Sequence, residues 1–330
     1  MAARRGQKVK LLHIIDILKK YTDEEHPLSA TQICEKLESV GVTAERKAIY
    51  DDIECLIGFG YDIIQTRVPK SGYFLGSREF ELPEIYLLGD AVRTAKFISA
   101  KKTRELTGKL EGMLSDYQHR EKGIYIDGSD KTRNEEIFYN IDTIGRAIEN
   151  HRKITFKYGT RSLAENREIV TSYKMRTISP YAMTWQDDHY YLIGNYDKYD
   201  NLIHFRIDRM RAVTETNEPW RHYSEVSDYK AAFDVADYTK KLFGMFVGEA
   251  QTVELRCKRD ILEQVADRFG ENVFIRNVTD THFDLGVDAV VSEALVTWLT
   301  NYGDGIEVLS PQTLRDMIKN RAEKILSLYK

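Results

Sequence analysis

Two groups of residues in this chain have the types and spacing to engage anions. Arg46, Lys47, Tyr50 and Asp51 fall on one side of a helical pattern whose other side carries Ile49, Ile53 and Leu56. A cation placed there can pair with guanine O6 and N7 at a groove edge, and Tyr50 can pack on a sugar or a thymine methyl. Arg67, Lys70 and Ser71 follow around a Pro/Gly turn between two short strand patterns, 61–65 and 73–75, where they suit phosphate. The second group comes much later. In the strand pattern 202–207, Phe205 and Ile207 point one way and His204 and Arg206 the other, with Arg209 just beyond. Beside the tyrosine-rich strand that holds Tyr190 and Tyr191, these cations would lie next to stacking faces. That pairing suits a planar anion such as a nucleotide or a short single strand.

Structural roles compete with both readings. The helix face can simply be solvated, on a module that binds protein. Arg206 and Arg209 can pair with Asp208, Asp187 or Asp188, and a tyrosine-rich strand more often packs a core. Because Arg206 points away from Phe205 and Ile207, cutting both arginines back to Ala is expected to leave the melting temperature nearly unaltered.

Signals for catalysis are absent from the pattern: no Walker loop, GxSxG or HExxH occurs. His151, His189, His204 and His222, with Asp187, Asp188 and Asp208, match no metal-ligand spacing. No enzyme activity, cofactor or metal is therefore expected. The net charge of −4 gives no global positive field, so nucleic acid must be held by a local patch. Even through residue 76, eleven basic side chains face eleven acidic ones, with Arg4, Arg5, Lys8 and Lys10 forming a basic arm. Three cysteines without a CxxC spacing fit a reducing compartment. With no apolar run of ~18 residues and no signal-like N-terminus, a cytoplasmic protein without membrane contact is expected.

The elements that position these groups change character along the 330 residues. Residues 8–76 read as three helices and a hairpin. Leu11, Leu12, Ile14, Ile15 and Leu18 form the first stripe, and Ile33, Leu37 and Val40 the second. Ser29 and Gln32 make a capping box, Gly41 a stop, and Thr43 an N-cap for a third helix in which Ile57 also keeps the helical spacing. Residues 84–117 read as helix, with Leu106, Leu110, Met113 and Tyr117 in step, and 122–133 as a polar loop. A helix carrying Ile137, Ile141, Ile144 and Ile148 either buttresses a sheet or pairs with another chain. Strands are expected at 153–158, 167–178, 181–186, 189–196, 202–207 and 211–215, the spacing of a small barrel or sandwich. Tyr229 to Phe246 reads as an amphipathic helix and connector. A βαββαβα order then follows from Thr252, as in ferredoxin-like domains.

The first 76 residues resemble a winged helix-turn-helix, whose third helix enters the major groove. The stretch Ile178-Ser-Pro-Tyr-Ala-Met-Thr-Trp185, then His189-Tyr-Tyr-Leu-Ile-Gly194 and His204-Phe-Arg-Ile-Asp-Arg-Met210, resembles the WYL domain family, with Tyr190-Tyr191-Leu192 at the Trp-Tyr-Leu signature. Lys47-Ala-Ile-Tyr-Asp-Asp-Ile-Glu54 resembles the recognition helix usually fused to it, with Asp51 where the family often has Arg. The resemblance implies a multidomain α+β chain. Its parts are a winged helix-turn-helix (1–76), a helical linker (77–136), an SH3/Sm-like small β-barrel, the WYL domain (137–222), and a ferredoxin-like extension with a connector helix (223–330). It implies a homodimeric, ligand-responsive transcriptional regulator that binds operator DNA through Arg46, Lys47, Tyr50, Asp51, Arg67, Lys70 and Ser71. Ser179, Tyr181, Tyr190, Tyr191, His204, Arg206 and Arg209 would hold an anionic effector, single-stranded DNA or RNA or a nucleotide. The alternative is a nucleic-acid-binding accessory protein of an RNA-guided defence system.

Overall fold

The computed structural model describes residues 2–118 and 131–329, with side chains from Val9 onward. The basic-arm side chains Arg4, Arg5 and Lys8, and residues 122–130 of the expected loop, lie outside the described residues. The chain divides into two compact units, Met1–Arg133 and Asn134–Lys330, and is mixed α and β throughout.

In the first unit, α1 (Ala2–Tyr21), α2 (Ala30–Ser39) and α3 (Arg46–Phe59) pack through Ile14, Ile15, Ile17, Leu18, Ile33, Leu37, Ile49, Ile53 and Leu56. Burying these side chains supplies most of the helices' stability, since isolated helices this short are marginal in water. The capping box forms as expected: Ser29 Oγ accepts from the Gln32 amide, and Gln32 Oε1 accepts from the Ser29 amide at 2.9 Å. Gly41 ends the turn after α2 at φ +78, a region that suits glycine. Three expectations fail here. Leu12 and Val40 are exposed rather than buried, because only a narrow stripe of each helix meets its neighbours, and Ile17 takes the place of Leu12. Glu45, not Thr43, precedes α3, and its side chain makes no cap.

The hairpin forms from β1 (Ile63–Thr66) and β2 (Gly72–Leu75), paired from Ile63 with Leu75 to Thr66 with Gly72. Leu28 adds a bridge to Tyr73. A Cβ at Gly72 would stand 2.7 Å from the Leu28 carbonyl carbon, so only glycine lets these backbones approach. The expected single helix over 84–117 is two, α4 (Leu82–Thr94) and α5 (Ala100–Glu111). Ser99 interrupts the run and caps α5 by accepting from the Lys102 amide. Lys131 Nζ donates to the carbonyls of Val92 and Ala95 at the end of α4.

The second unit begins with α6 (Ile137–Glu149), which packs on a five-stranded antiparallel sheet. Its strands are β3 (Arg152–Leu163), β4 (Ile169–Gln186), β5 (His189–Asn195), β6 (Ile203–Arg206) and β7 (Met210–Pro219), in the order β6-β5-β4-β3-β7. The Ile137–Ile148 stripe therefore buttresses the sheet; Ile137 and Ile144 are fully buried. The two strands expected over 167–186 are one, bent at a bulge between Pro180 and Ala182. Asp187 and Asp188, both at positive φ, close the β4–β5 hairpin in two residues, the geometry that matches strand twist.

The expected 229–246 helix is only α7 (Val235–Lys240). The rest of that segment is irregular, and Tyr223, Tyr229, Phe233 and Tyr238 pack their rings against one another there. Last come β8 (Glu249–Lys258), α8 (Leu262–Phe269), β9 (Ile275–Arg276), β10 (His282–Val291), α9 (Glu293–Thr300), β11 (Ile306–Ser310) and α10 (Gln312–Leu328). Their antiparallel sheet has the order β11-β8-β10-β9. Val253, Leu255, Leu285, Val296 and Leu314 sit in its core. Among the described residues no helix is long and apolar enough to cross a membrane, and no group of three metal-ligating side chains gathers.

Candidate nucleic-acid and anion interfaces

Burial of Ile49, Ile53 and Leu56 turns the opposite side of α3 outward, and Arg46, Lys47, Tyr50 and Asp51 are all exposed on it. Arg46 Nε donates to Tyr50 Oη at 3.0 Å, one helical turn away, so the two side chains act as a pair. Arg67, Lys70 and Ser71 are exposed around the β1–β2 turn. Lys10 of the expected basic arm is not free. Its Nζ lies 2.6 Å from Asp52 Oδ2, with both side chains nearly buried, and the pair ties α1 to α3.

In the second unit, strand parity sorts the expected ligand residues onto two faces. Leu192 pairs with Phe205 and faces the core, where both are buried. Tyr191 pairs with Arg206, and Ile193 with His204, on the other face. One end of that face is covered. His204 Nδ1 stands 2.7 Å from the Met245 carbonyl oxygen, which requires the proton on Nδ1, and Nε2 then accepts from Tyr238 Oη at 2.9 Å. Burial drives its pKa down to about 4, so the ring is neutral. Ser179 and Tyr181 are spent in the same region. Ser179 Oγ accepts from the Arg221 amide, Tyr181 Oη donates to the Arg221 carbonyl, and burial raises the Tyr181 pKa. The structure thus does not bring Ser179, Tyr181 or His204 to an open surface. Tyr190 is half-buried on the side of Leu192.

The other end of the face is half-open. Arg206 donates twice to Asp208, Nε to Oδ1 at 3.0 Å and Nη2 to Oδ2 at 2.8 Å. Burial opposes the Arg206 charge, yet the Asp208 carboxylate leaves its pKa raised. Tyr191 is half-buried beside it, 6.4 Å from the His189 ring, and burial raises its pKa. Arg209 ends the 3-10 turn after β6, and its buried Nε has no hydrogen-bond partner among the described residues. The structure therefore gathers Tyr191, Arg206 and Arg209 with Asp208.

Two residues missed in the sequence set this turn. Asn134 Nδ2 donates to the carbonyls of Asp208 and Met210, and Asn140 Nδ2 to that of Met210. Both asparagines are buried; Asn140, at i+3 from Ile137 and i−4 from Ile144, sits on the apolar stripe of α6, which was the available signal.

A WYL domain model matches residues 120–215, and a WCX domain model residues 249–326. No curated protein matches. Among solved structures, proteasome accessory factor B/C (PafBC) of Arthrobacter aurescens is similar at 16% identity and a TM-score of 0.28. The alignment covers 98% of this chain and 49% of that one, so the chain spans about half the length of that structure.

Proposed function

The chain is a WYL domain-containing protein, and from that membership we propose that it is a DNA-binding transcriptional regulator whose WYL domain senses an anionic ligand. The first unit acts as a winged helix-turn-helix. Arg46, Lys47 and Tyr50 read bases, with Arg67, Lys70 and Ser71 on phosphate. Support comes from the exposed α3 face, which lies directly across from the core that fixes the helix. The five-strand order with a 3-10 turn before its last strand supports an SH3/Sm-like barrel. The order β11-β8-β10-β9 supports a ferredoxin-like extension that helps a cytoplasmic homodimer form.

The observation that carries the sensing role is the half-open patch where Tyr191 stands opposite Arg206 next to the unpartnered Nε of Arg209. A buried guanidinium N–H without an acceptor is costly, and an anionic oxygen would satisfy it. Asp208 presets Arg206, so an entering anion meets a charge already held in place. For regulation the ligand must bind one arrangement of the protein better than another, since equal affinity shifts nothing. The test is titration of the full-length protein with short single-stranded DNA and RNA oligomers, with operator affinity followed in the same samples. Saturable binding lost in Arg209→Ala and linked to a change in operator affinity is the expected result. Binding with no effect on duplex affinity would leave a nucleic-acid binder that does not regulate.

A further inference from the structure

The core-facing side of the same sheet ends in a second polar cluster. Arg176 on β4 is the register partner of Phe156 on β3, which places it on the face that carries Phe156 and Phe205. Tyr196, just after β5, lies 6.0 Å from the Phe205 ring. The Arg176 guanidinium carbon stands 5.7 Å from the Tyr196 ring centroid. Arg176 Nε and Tyr196 Oη are both buried, and neither has a hydrogen-bond partner among the described residues. Lys174, exposed two residues before Arg176, shares the face as the register partner of Tyr158. Among the described residues, the titratable groups that act on Tyr196 are Arg176, whose charge favours the phenolate, and Tyr199.

Buried polar atoms are rarely left unpaired, and each exception calls for a partner. The two orphans here are N–H and O–H donors, with a second cation, Lys174, nearby. Two unpartnered donors beside a lysine select an acceptor-rich anion rather than a cation. The half-buried rings of Tyr158 and Tyr196, both packed against the buried Phe205, add a surface for a planar group.

We propose that Arg176 and Tyr196, with Lys174 at the rim, form a phosphate-binding subsite at the open end of the sheet's core face. It takes the phosphate of a nucleotide or of a strand end. It lies on the opposite sheet face from Tyr191 and Arg206, so it does not rest on the sensing role given to that patch.

The test uses the full-length protein and calorimetric titration with thymidine 5′-monophosphate, inorganic phosphate and thymidine. The two phosphate-bearing probes should bind and thymidine should not. Tyr196→Phe removes only an unpartnered hydroxyl, so it should weaken the monophosphate about tenfold, the scale of one hydrogen bond to a charged group, with an unchanged melting temperature. Arg176→Gln should weaken it further, and in an Arg209→Ala background the Tyr196→Phe effect should persist at the same size. Equal binding of thymidine and its monophosphate would overturn the subsite, as would full affinity in Tyr196→Phe. A lowered melting temperature in Tyr196→Phe would also overturn it, because the hydroxyl would then have a structural partner such as ordered water. Loss of monophosphate binding in Arg209→Ala would move the phosphate to the other face.

Discussion

Tyr191 and Arg206 are register partners across the β5–β6 ladder, and Arg206 is clamped by two hydrogen bonds to the Asp208 carboxylate. The clamp changes what a substitution there does. Side-chain direction alone suggests that Arg206 can be removed freely. In the folded chain the Asp208 side chain is 8% exposed, and deleting Arg206 leaves that carboxylate buried without its partner.

Arg206→Ala should therefore destabilise the protein by about 1–3 kcal/mol, the cost of an unsatisfied buried acceptor. Arg209→Ala should cost little, since its Nε gives up no hydrogen bond. Chemical denaturation of the two single variants separates them. Equal stability losses would refute the clamp, whereas a small loss in Arg209→Ala makes that variant the clean probe of ligand binding.

In the proposed function, recognition of duplex DNA rests on α3. Lys47→Ala and Arg46→Ala should each weaken a mapped operator by about 1–3 kcal/mol if each side chain pairs with a base. Tyr50→Phe should repeat part of the Arg46 effect, because it removes the oxygen that orients the Arg46 guanidinium. Gel-shift midpoints measured at two salt concentrations test both, and affinity should fall with salt as phosphate contacts release counterions.

His204 makes stability depend on pH with a definite sign. Its pKa in the fold, about 4, lies below the ordinary value of 6.5, so the unfolded chain binds the proton more readily. The contribution is complete above about pH 6.5 and is lost as pH falls from there through about 4. Its full size is on the order of 3 kcal/mol, because each tenfold difference in proton affinity between the folded and unfolded chain is worth about 1.4 kcal/mol. Melting curves at pH 7 and pH 4.5 should show a larger drop for the wild type than for His204→Gln. Parallel drops would show that other groups carry the acid sensitivity.

The pair between Lys10 and Asp52 predicts that the basic arm is partly structural. Lys10→Met leaves Asp52 poorly solvated and should cost up to about 3 kcal/mol, toward the lower end for breaking a buried pair. Denaturant unfolding checks this, and the paired change Lys10→Met with Asp52→Leu should recover most of the loss. An operator-affinity defect without a stability defect would instead mark Lys10 as a phosphate contact.

Local signals fixed much of this protein before any fold was known. The Ser29–Gln32 capping box, the stop at Gly41, the α3 stripe of Ile49, Ile53 and Leu56, and the alternation of Phe205 and Ile207 against His204 and Arg206 all depend on neighbours a few residues away. Such neighbours are set by helix and strand periods, so the outward face of α3 and the two faces of β6 were legible in the amino-acid order. The family resemblance was likewise carried by contiguous motifs around Tyr190-Tyr191-Leu192.

What tertiary structure alone decided is which of those outward residues stay open. Ser179, Tyr181 and His204 have the composition of a ligand site, yet the connector lies over them and takes up their hydrogen bonds through Arg221, Tyr238 and Met245. Arg209 and Arg176 end with buried N–H groups that have no partner among the described residues because of strands and turns distant in sequence, including the Asn134 and Asn140 contacts that set the turn before β7. The physical reason is that a period records which way a side chain points, whereas burial and hydrogen-bond satisfaction depend on what arrives from elsewhere in the chain. Covered polar groups become structure, and the few left unpartnered among the described residues are the ones to which the proposed ligand sites are assigned.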